Sequence, residues 1–541
     1  VNQIYQAQII YTQATRVRIL FLIILSLNFS QSHTQQELNH TSAINSPNSL
    51  SSSNAIAEVF RNLKIPQVPA FDLTDPTVNL SVIPNDQTPA LMIQKPEFAH
   101  LETPNLVPNE ANTRVTDLID TKFYDGYIKP GDLSSKVASN GAMYTLASPG
   151  RYYISNDITV APNNNTVTAI RISANNVLLD LNRATISQSS SSSKTGLIGL
   201  ELASGVTNVI IQNGRIDSFS GTGININTNC ANIIIRDVIV SRSTKYGINI
   251  NTSNTIYLQN VKAVSGSNAS GSCWGLNLTT CHNVLVQNSN FDNNNGISNS
   301  SFGIDIASAS YQCVFENCTA NNNGSTTCAT SYGILVYNST SNCWFKNCES
   351  SYNQGTSWGY GFIVLTSCSN IRLSNCSAFG QIGGTGATNF AAGFYFDDTT
   401  KYSIIEDSYS YGNGAGTTYA GYGIYFGNGT SAGPLNCIVR NCQIYDNIGT
   451  TKSYGFYDWA SAAVGSTTVL AHNVASGNGK INPSAGNFTP SNSNSANYYI
   501  QYGQTPANNS NSLFFEGNFT AIGAINGTGI LGEFQNLSII S

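Results

Sequence analysis

The sequence predicts an all-β fold, a single parallel β-solenoid of roughly a dozen coils, and three observations predict it. First, a Gly-Ile-x-Ile motif recurs every 24 to 32 residues, at Gly199, Gly223, Gly247, Gly275, Gly303, Gly333, Gly361, Gly393, Gly423 and Gly455. Second, an Asn or Asp column keeps step with it: Asn213, Asp237, Asn260, Asn288, Asn317, Asn347, Asn375, Asp407, Asn441 and Asn473. Third, the segments before that column, such as NVIIQN (208–213), NIIIRD (232–237) and NVLVQN (283–288), alternate apolar and polar residues. Period two is the signal of a half-buried strand, and a fixed interval of this length marks a stack of like units.

The elements follow in chain order. Residues 1–32 read as a signal-peptide region, with Arg16 and Arg18 ahead of an apolar run from Ile19 to Leu27. That run is short against the roughly 20 residues a membrane-spanning helix needs, so no stable span is expected after cleavage. Residues 33–115, rich in Ser, Asn and Pro, read as a flexible leader. Residues 116–160 become strand-like and are expected to form an N-terminal cap, and residues 161–541 the solenoid. Charged residues make up only 10% of the chain, net charge is −5 and no Lys/Arg stripe appears, which excludes a nucleic-acid partner.

Within each unit, in-register stacking brings like residues together one coil apart, about 4.8 Å along the stack. The Asn column is therefore expected to form a structural ladder of side-chain hydrogen bonds. This pattern, with NVLLDLNRATI (176–186) as an early coil, resembles the right-handed parallel β-helix of the pectate-lyase-like superfamily, in particular its bacterial right-handed β-helix repeat proteins. The resemblance covers roughly residues 140–540 and implies the fold; it is nearly silent about chemistry. Ten of the twelve cysteines fall in columns that Val, Ile, Ala or Ser fill in other coils, so mostly free, buried thiols are expected. With no Cys-x-x-Cys pair and no clustered His, no metal site and no cofactor are expected.

Enzymes of the resembling fold work on the outside of one sheet, which directs attention to the residues two and four places after each glycine. These run from Asn225, Asn249, Asn277 and Asp305 through Leu335 and Ile363 to Tyr395, Tyr425 and Tyr457, with Tyr337, Asp397 and Trp459 beside them. Exposed aromatics beside Asn and Asp suit sugar rings, so Tyr337, Tyr395, Tyr425, Tyr457 and Trp459 are the candidate ligand-binding residues. Alternatively, longer insertions such as 378–391, 409–421 or 476–512 cover the strip. The aromatics just before the glycines (Tyr246, Trp274, Phe302, Tyr332, Tyr360, Tyr422 and Tyr454) are assigned inward parity and corner packing.

For catalysis, Asp397 and Asp398 form the only exposed acidic doublet on this face, with no Arg or Lys beside it. Asp305 lies three coils away, roughly 14 Å, too far to pair with it. The leading expectation is an exported protein, secreted or at the cell surface, that binds a polysaccharide, a cell-surface glycan or another surface. The rivals are a lyase, hydrolase or epimerase acting on acidic polysaccharide, with calcium only in the lyase case, and a plain structural spacer.

Overall fold

In a computed structural model the chain winds as a parallel β-solenoid of about eleven turns. The structure describes residues 126–128, 141–397, 399–414, 418–427, 434 and 436–457 with their side chains, then the backbone of 458–460 and of strands between 467 and 540, with the side chains of Leu470, Asn473, Val474, Ala475 and Asn478. All of these lie in the unit Leu63–Ser541. The expected signal region and leader, and residues 116–125 and 129–140 of the expected cap, lie outside the described residues. Among the described residues no helix occurs, and hence none long and apolar enough to cross a membrane.

A typical coil lays down three strands. In one coil these are Trp358–Val364 in a glycine-bearing sheet, Ser369–Ser374 in an asparagine-bearing sheet and Ser377–Phe379 in a third, short sheet. The glycine sheet stacks fourteen strands, from Ala142–Leu146 to Ile525–Asn526. The three-strand pattern reaches back to Ala142, since Ala142–Leu146, Gly150–Ile154 and Ile158–Val160 pair in parallel with the next coil. Inward positions form one continuous core of Ile, Val, Leu, Phe and Cys running the length of the stack.

The corner between the asparagine sheet and the short sheet explains the Asn column. Asn213, Asp237, Asn260, Asn288, Asn317, Asn347, Asn375, Asp407 and Asn441 all sit at φ between 50° and 59°, the left-handed region that Asn and Asp tolerate best. Their side chains also bond along the stack: Asn347 Nδ2 donates to Asn317 Oδ1 (3.0 Å), Asn375 to Asn347 (2.7 Å) and Asn260 to Asp237 (2.7 Å). Asn473 departs from the expectation. Val474 pairs with Gln443, so Asn473 aligns with Cys442 rather than Asn441. It is buried, accepting from Cys442 N (2.9 Å) and donating to Val439 O (2.8 Å). The coil's spacing differs by one residue there, and the column shifts inward.

A second ladder, which the sequence reading missed, lies wholly inside the third corner. Asn294, Asn323, Asn353, Gln381, Asn413, Asn447 and Asn478 are at most 1% exposed. Each of the first six donates its backbone N–H to the side-chain oxygen of the next, as Asn323 N does to Asn353 Oδ1 (3.0 Å) and Asn413 N to Asn447 Oδ1 (3.2 Å). These buried amides satisfy the backbone where the chain turns out of regular pairing. Their signal was present as a recurring Asn one or two places before Gly, as in Asn323-Gly324 and Asn413-Gly414.

The glycine column answers to space. A Cβ on Gly303 would stand 2.6 Å from Gly333 O and 2.7 Å from the Ala320 Cβ; on Gly423 it would meet Ile444 Cγ2 at 2.3 Å. The short strand leans directly on the glycine strand at this corner. The same tight corner interrupts the alternation: Thr222 pairs with Tyr246 and Ile224 with Ile248, while the glycine between them is skipped. In consequence the aromatics before the glycines share the outer face with the residues two places after them, as the stacked pairs Tyr422–Tyr425 (4.9 Å) and Tyr360–Tyr395 (5.8 Å) show. The inward parity expected for them is thereby corrected.

All twelve cysteines are buried and unbridged. Burial pushes the Cys281 thiol up to about 11 and that of Cys442 up to about 12, so these thiols stay protonated and inert.

Gly303→Ala is expected to destabilise the chain by about 1–3 kcal/mol, the usual range for overpacking. Denaturant unfolding checks this; a variant as stable as the parent would show that close approach does not select the glycine.

Candidate functional site: the outer face of the glycine sheet

Stacking builds this face one residue per coil. Register places Glu201, Asn225, Asn249, Asn277, Asp305, Leu335, Ile363, Tyr395, Tyr425 and Tyr457 in a single outward column. Its lower half is polar and closed on itself. Glu201 pairs with Arg171 at 2.7 Å and accepts from Thr168 Oγ1 and Asn227 Nδ2, each at 2.7 Å. Asn249 Nδ2 then donates to Asn225 Oδ1 (2.8 Å), and Asn277 Nδ2 to Asn249 Oδ1 (2.7 Å).

Asp305 takes the next rung. Its Oδ2 accepts from Trp274 Nε1 at 2.9 Å, while Oδ1 is buried without a hydrogen-bond partner. The residue is 3% exposed, and burial raises its pKa to about 7 against the opposing Trp274 hydrogen bond. A protonated carboxyl has the shape of an amide and can donate as the asparagines below it do.

The upper half is aromatic and closed in a different way. Tyr395, Tyr425 and Tyr457 point outward as expected, yet are only 7%, 4% and 6% exposed. Tyr395 and Tyr425 stack at 4.8 Å, Tyr425 and Tyr457 lie tilted at 5.3 Å, and Phe390 stands edge-on to Tyr395, Tyr422 and Tyr425. Below them Trp274, Phe302, Tyr332 and Tyr360 continue the stack at 4.9, 4.9 and 5.4 Å. These rings spend their faces on one another, so as they stand they offer no open face to a sugar. Tyr337 is half-buried at the edge of the cluster. The side chain of Trp459 lies outside the described residues.

Asp397 is no free carboxylate. Its Oδ1 accepts from Thr399 N (3.0 Å), Thr399 Oγ1 (2.9 Å) and Thr400 Oγ1 (3.0 Å), and its Oδ2 accepts from Thr366 N. At 7% exposure, against the exposed position expected of it, it is a turn acceptor holding two coils together. Asp398 lies outside the described residues. Elsewhere, Lys346 reaches Glu316 at 3.1 Å as the expected surface ion pair. Among the described residues no group of three or more His, Cys, Asp or Glu is placed to hold a metal ion.

The exposed rings lie on other faces. Tyr352 and Tyr409 stand on or beside the outside of the short sheet, 53% and 36% exposed, and Tyr311 on the asparagine sheet is 38% exposed. Tyr409 stands two places after Asp407 and Tyr352 five places after Asn347, so the asparagine column gives their positions and only the corner geometry gives their exposure.

No family model and no curated protein sequence matches this chain. Solved structures that resemble it include a mutant of the periplasmic alginate epimerase AlgG (13% identity over 64% of this chain and 83% of that one, TM-score 0.44). Another is the A-module of the mannuronan C-5 epimerase AlgE4 of Azotobacter vinelandii (14%, 66% and 88%, TM-score 0.40). A third is PfbA, a surface adhesin of Streptococcus pneumoniae (9%, 68% and 83%, TM-score 0.38).

The Asp305 carboxyl makes stability depend on pH. Its folded pKa, about 7, exceeds the ordinary value of 3.8, so the folded chain keeps a proton that the unfolded chain has released. The contribution is complete below pH 4, falls by up to about 1.4 kcal/mol per pH unit as pH rises, and is gone above 7. Melting curves of the parent and Asp305→Asn at pH 4.5 and 7.5 check this: relative to the variant, the parent loses stability at the higher pH.

Proposed function

We propose that this chain is an exported, elongated β-helix that binds glycans at a surface and does no chemistry on them. The state of its buried carboxylates carries this reading. Among the described residues Asp180, Glu201, Asp217, Asp305, Asp397 and Glu406 are buried acids. Asp180 is bonded to Asn182, Gln212 and Asn213; Asp217 to Ser241 and Arg242; Glu406 to Ser374, Arg372 and Arg440. With Glu201 and Asp397 also engaged, Asp305 alone keeps an oxygen free. Its column neighbours are Asn277 and Leu335, so no second carboxylate stands one coil away to complete an acid–base pair. The surface is sparsely charged and rich in Asn, Ser and Thr, with isolated exposed rings, a chemistry suited to hydroxyl-rich ligands. Export rests on the Arg16–Leu27 pattern of the sequence.

One observation favours a second reading. Asp305 titrates near neutrality beside Tyr332 and Tyr337, whose phenols burial also shifts upward, and such a group is equipped for proton transfer. That would serve an enzyme acting on polysaccharide.

A glycan array and reducing-end and unsaturated-product assays on a polysaccharide panel separate the two. Saturable binding without product is the expected result. Product formation that disappears in Asp305→Asn would replace the binding reading with the enzymatic one.

A further inference from the structure

The corner after the short sheet carries its own column of left-handed residues. Ser265, Asn293, Asn322, Tyr352, Gly380, Gly412 and Asp446 have φ of 58°, 60°, 54°, 53°, 66°, 63° and 53°. Each of the middle four makes the same bond to the coil above: Asn322 N to Ser351 O (2.8 Å), Tyr352 N to Phe379 O (3.0 Å), Gly380 N to Tyr411 O (3.1 Å) and Gly412 N to Tyr445 O (3.3 Å). Small or Asx residues fit this conformation; a tyrosine is the costly exception. Unlike the residues around it in the column, Tyr352 also carries its ring into solvent, at 53% exposure.

The ring has a seat. A Cβ on Gly380 would stand 2.6 Å from Tyr352 Cδ1 and Cε1, so that side of the ring lies against the glycine, with Phe379 edge-on to it at 84°. Just over half of the side chain, 53%, is left in water. One coil on, Gly412 leaves the floor empty: a Cβ there would have no neighbour nearer than Gly380 N at 4.0 Å. The wall is the stack Phe379–Tyr411–Tyr445, at 4.5 and 5.0 Å, and exposed Asp446 closes the far end. From Gly380 to Asp446 is two coil steps, about 10 Å, the room of one sugar ring and its substituents.

We propose that Tyr352, Gly412, Tyr411 and Asp446 form a binding site for a neutral pyranose unit of a glycan. The C–H face of the sugar packs on the exposed part of the Tyr352 ring, and its hydroxyls meet the Asp446 carboxylate and the Tyr411 phenol. Burial and the neighbouring Tyr445 hold the Tyr411 phenol protonated, hence able to donate. The charged groups at the trough are the carboxylates of Glu349 and Asp446, which disfavour uronates and sulfated sugars. The inference rests on the glycan-binding reading above and locates it on a face that reading does not require.

The test uses the full chain with soluble neutral polysaccharides (a β-glucan, a mannan and a galactan) and a polyuronate, by calorimetric titration. Two substitutions copy residues that this column already holds. Tyr352→Asn removes the platform, and Gly412→Asn fills the floor with a residue type that tolerates the left-handed backbone better than most. Both are expected to weaken neutral-glycan binding at least tenfold, on the order of a centre-of-interface contact, while Tyr352→Asn melts at or above the parent temperature. Parent-like binding by both variants, preference for the polyuronate, or a lower melting temperature for Tyr352→Asn overturns the site. If the parent binds glycans and the variants bind equally, the site alone fails; if the parent binds none, the functional reading fails with it.

Discussion

The corner where the short strand meets the glycine strand leaves no room for a side chain, and the rest of the solenoid is arranged around that contact. The Gly303 Cα is pressed by the Ala320 side chain of its own coil and by the Gly333 carbonyl of the next. Because each glycine touches the following one, a coil cannot slip against its neighbour without driving a Cβ into a carbonyl. Register is therefore held at one point per turn, and all the other columns inherit it. Insertions between strands lengthen a coil but leave its glycine in line, which is why intervals of 24 to 32 residues still give one continuous sheet.

Fixed register puts like upon like, and this has opposite consequences for amides and for rings. An amide has a donor and an acceptor on one group, so a column of Asn bonds indefinitely, outside at Asn288–Asn317–Asn347–Asn375 and inside at Asn294–Asn323–Asn353. A ring has two faces, and a column of rings uses both. The stack from Tyr246 to Tyr360 is thereby a stiffening spine and a poor platform for a sugar. What counts for recognition is a ring that has left its stack.

Much of this fold was legible in the sequence because period and alternation are properties of the chain itself. The repeated Gly and Asn columns gave the coil and the outward column, and the inward placement of Cys313, Cys318, Cys343 and Cys348 follows from the same alternation. Three things were not legible. Alternation fails at the tight glycine, so Tyr422 and its equivalents were assigned to the wrong face. Burial of Tyr395 and Tyr425 depends on how neighbouring rings pack in three dimensions, and no spacing reports it. Asn473 lost its place because one residue of altered spacing is invisible until the register of Val474 with Gln443 is known.

In a repeat the informative residue is the one that its column does not require. Asp305 follows three asparagines and precedes two aliphatics, and Asn would fill the rung without a buried orphan oxygen. Tyr352 follows Asn322 and precedes two glycines, any of which would relax its backbone. The two departures differ in kind. Asp305 is enclosed, with one oxygen held by Trp274 and the other out of reach of solvent. Tyr352 gains no enclosure: half its surface stays in water, its backbone bond is one that Asn or Gly makes equally well, and the glycine beneath it is shaped to receive its ring. A strained residue that still leaves half its surface in water points to a ligand, and on this molecule that argument leads away from the glycine sheet to the corner beside it.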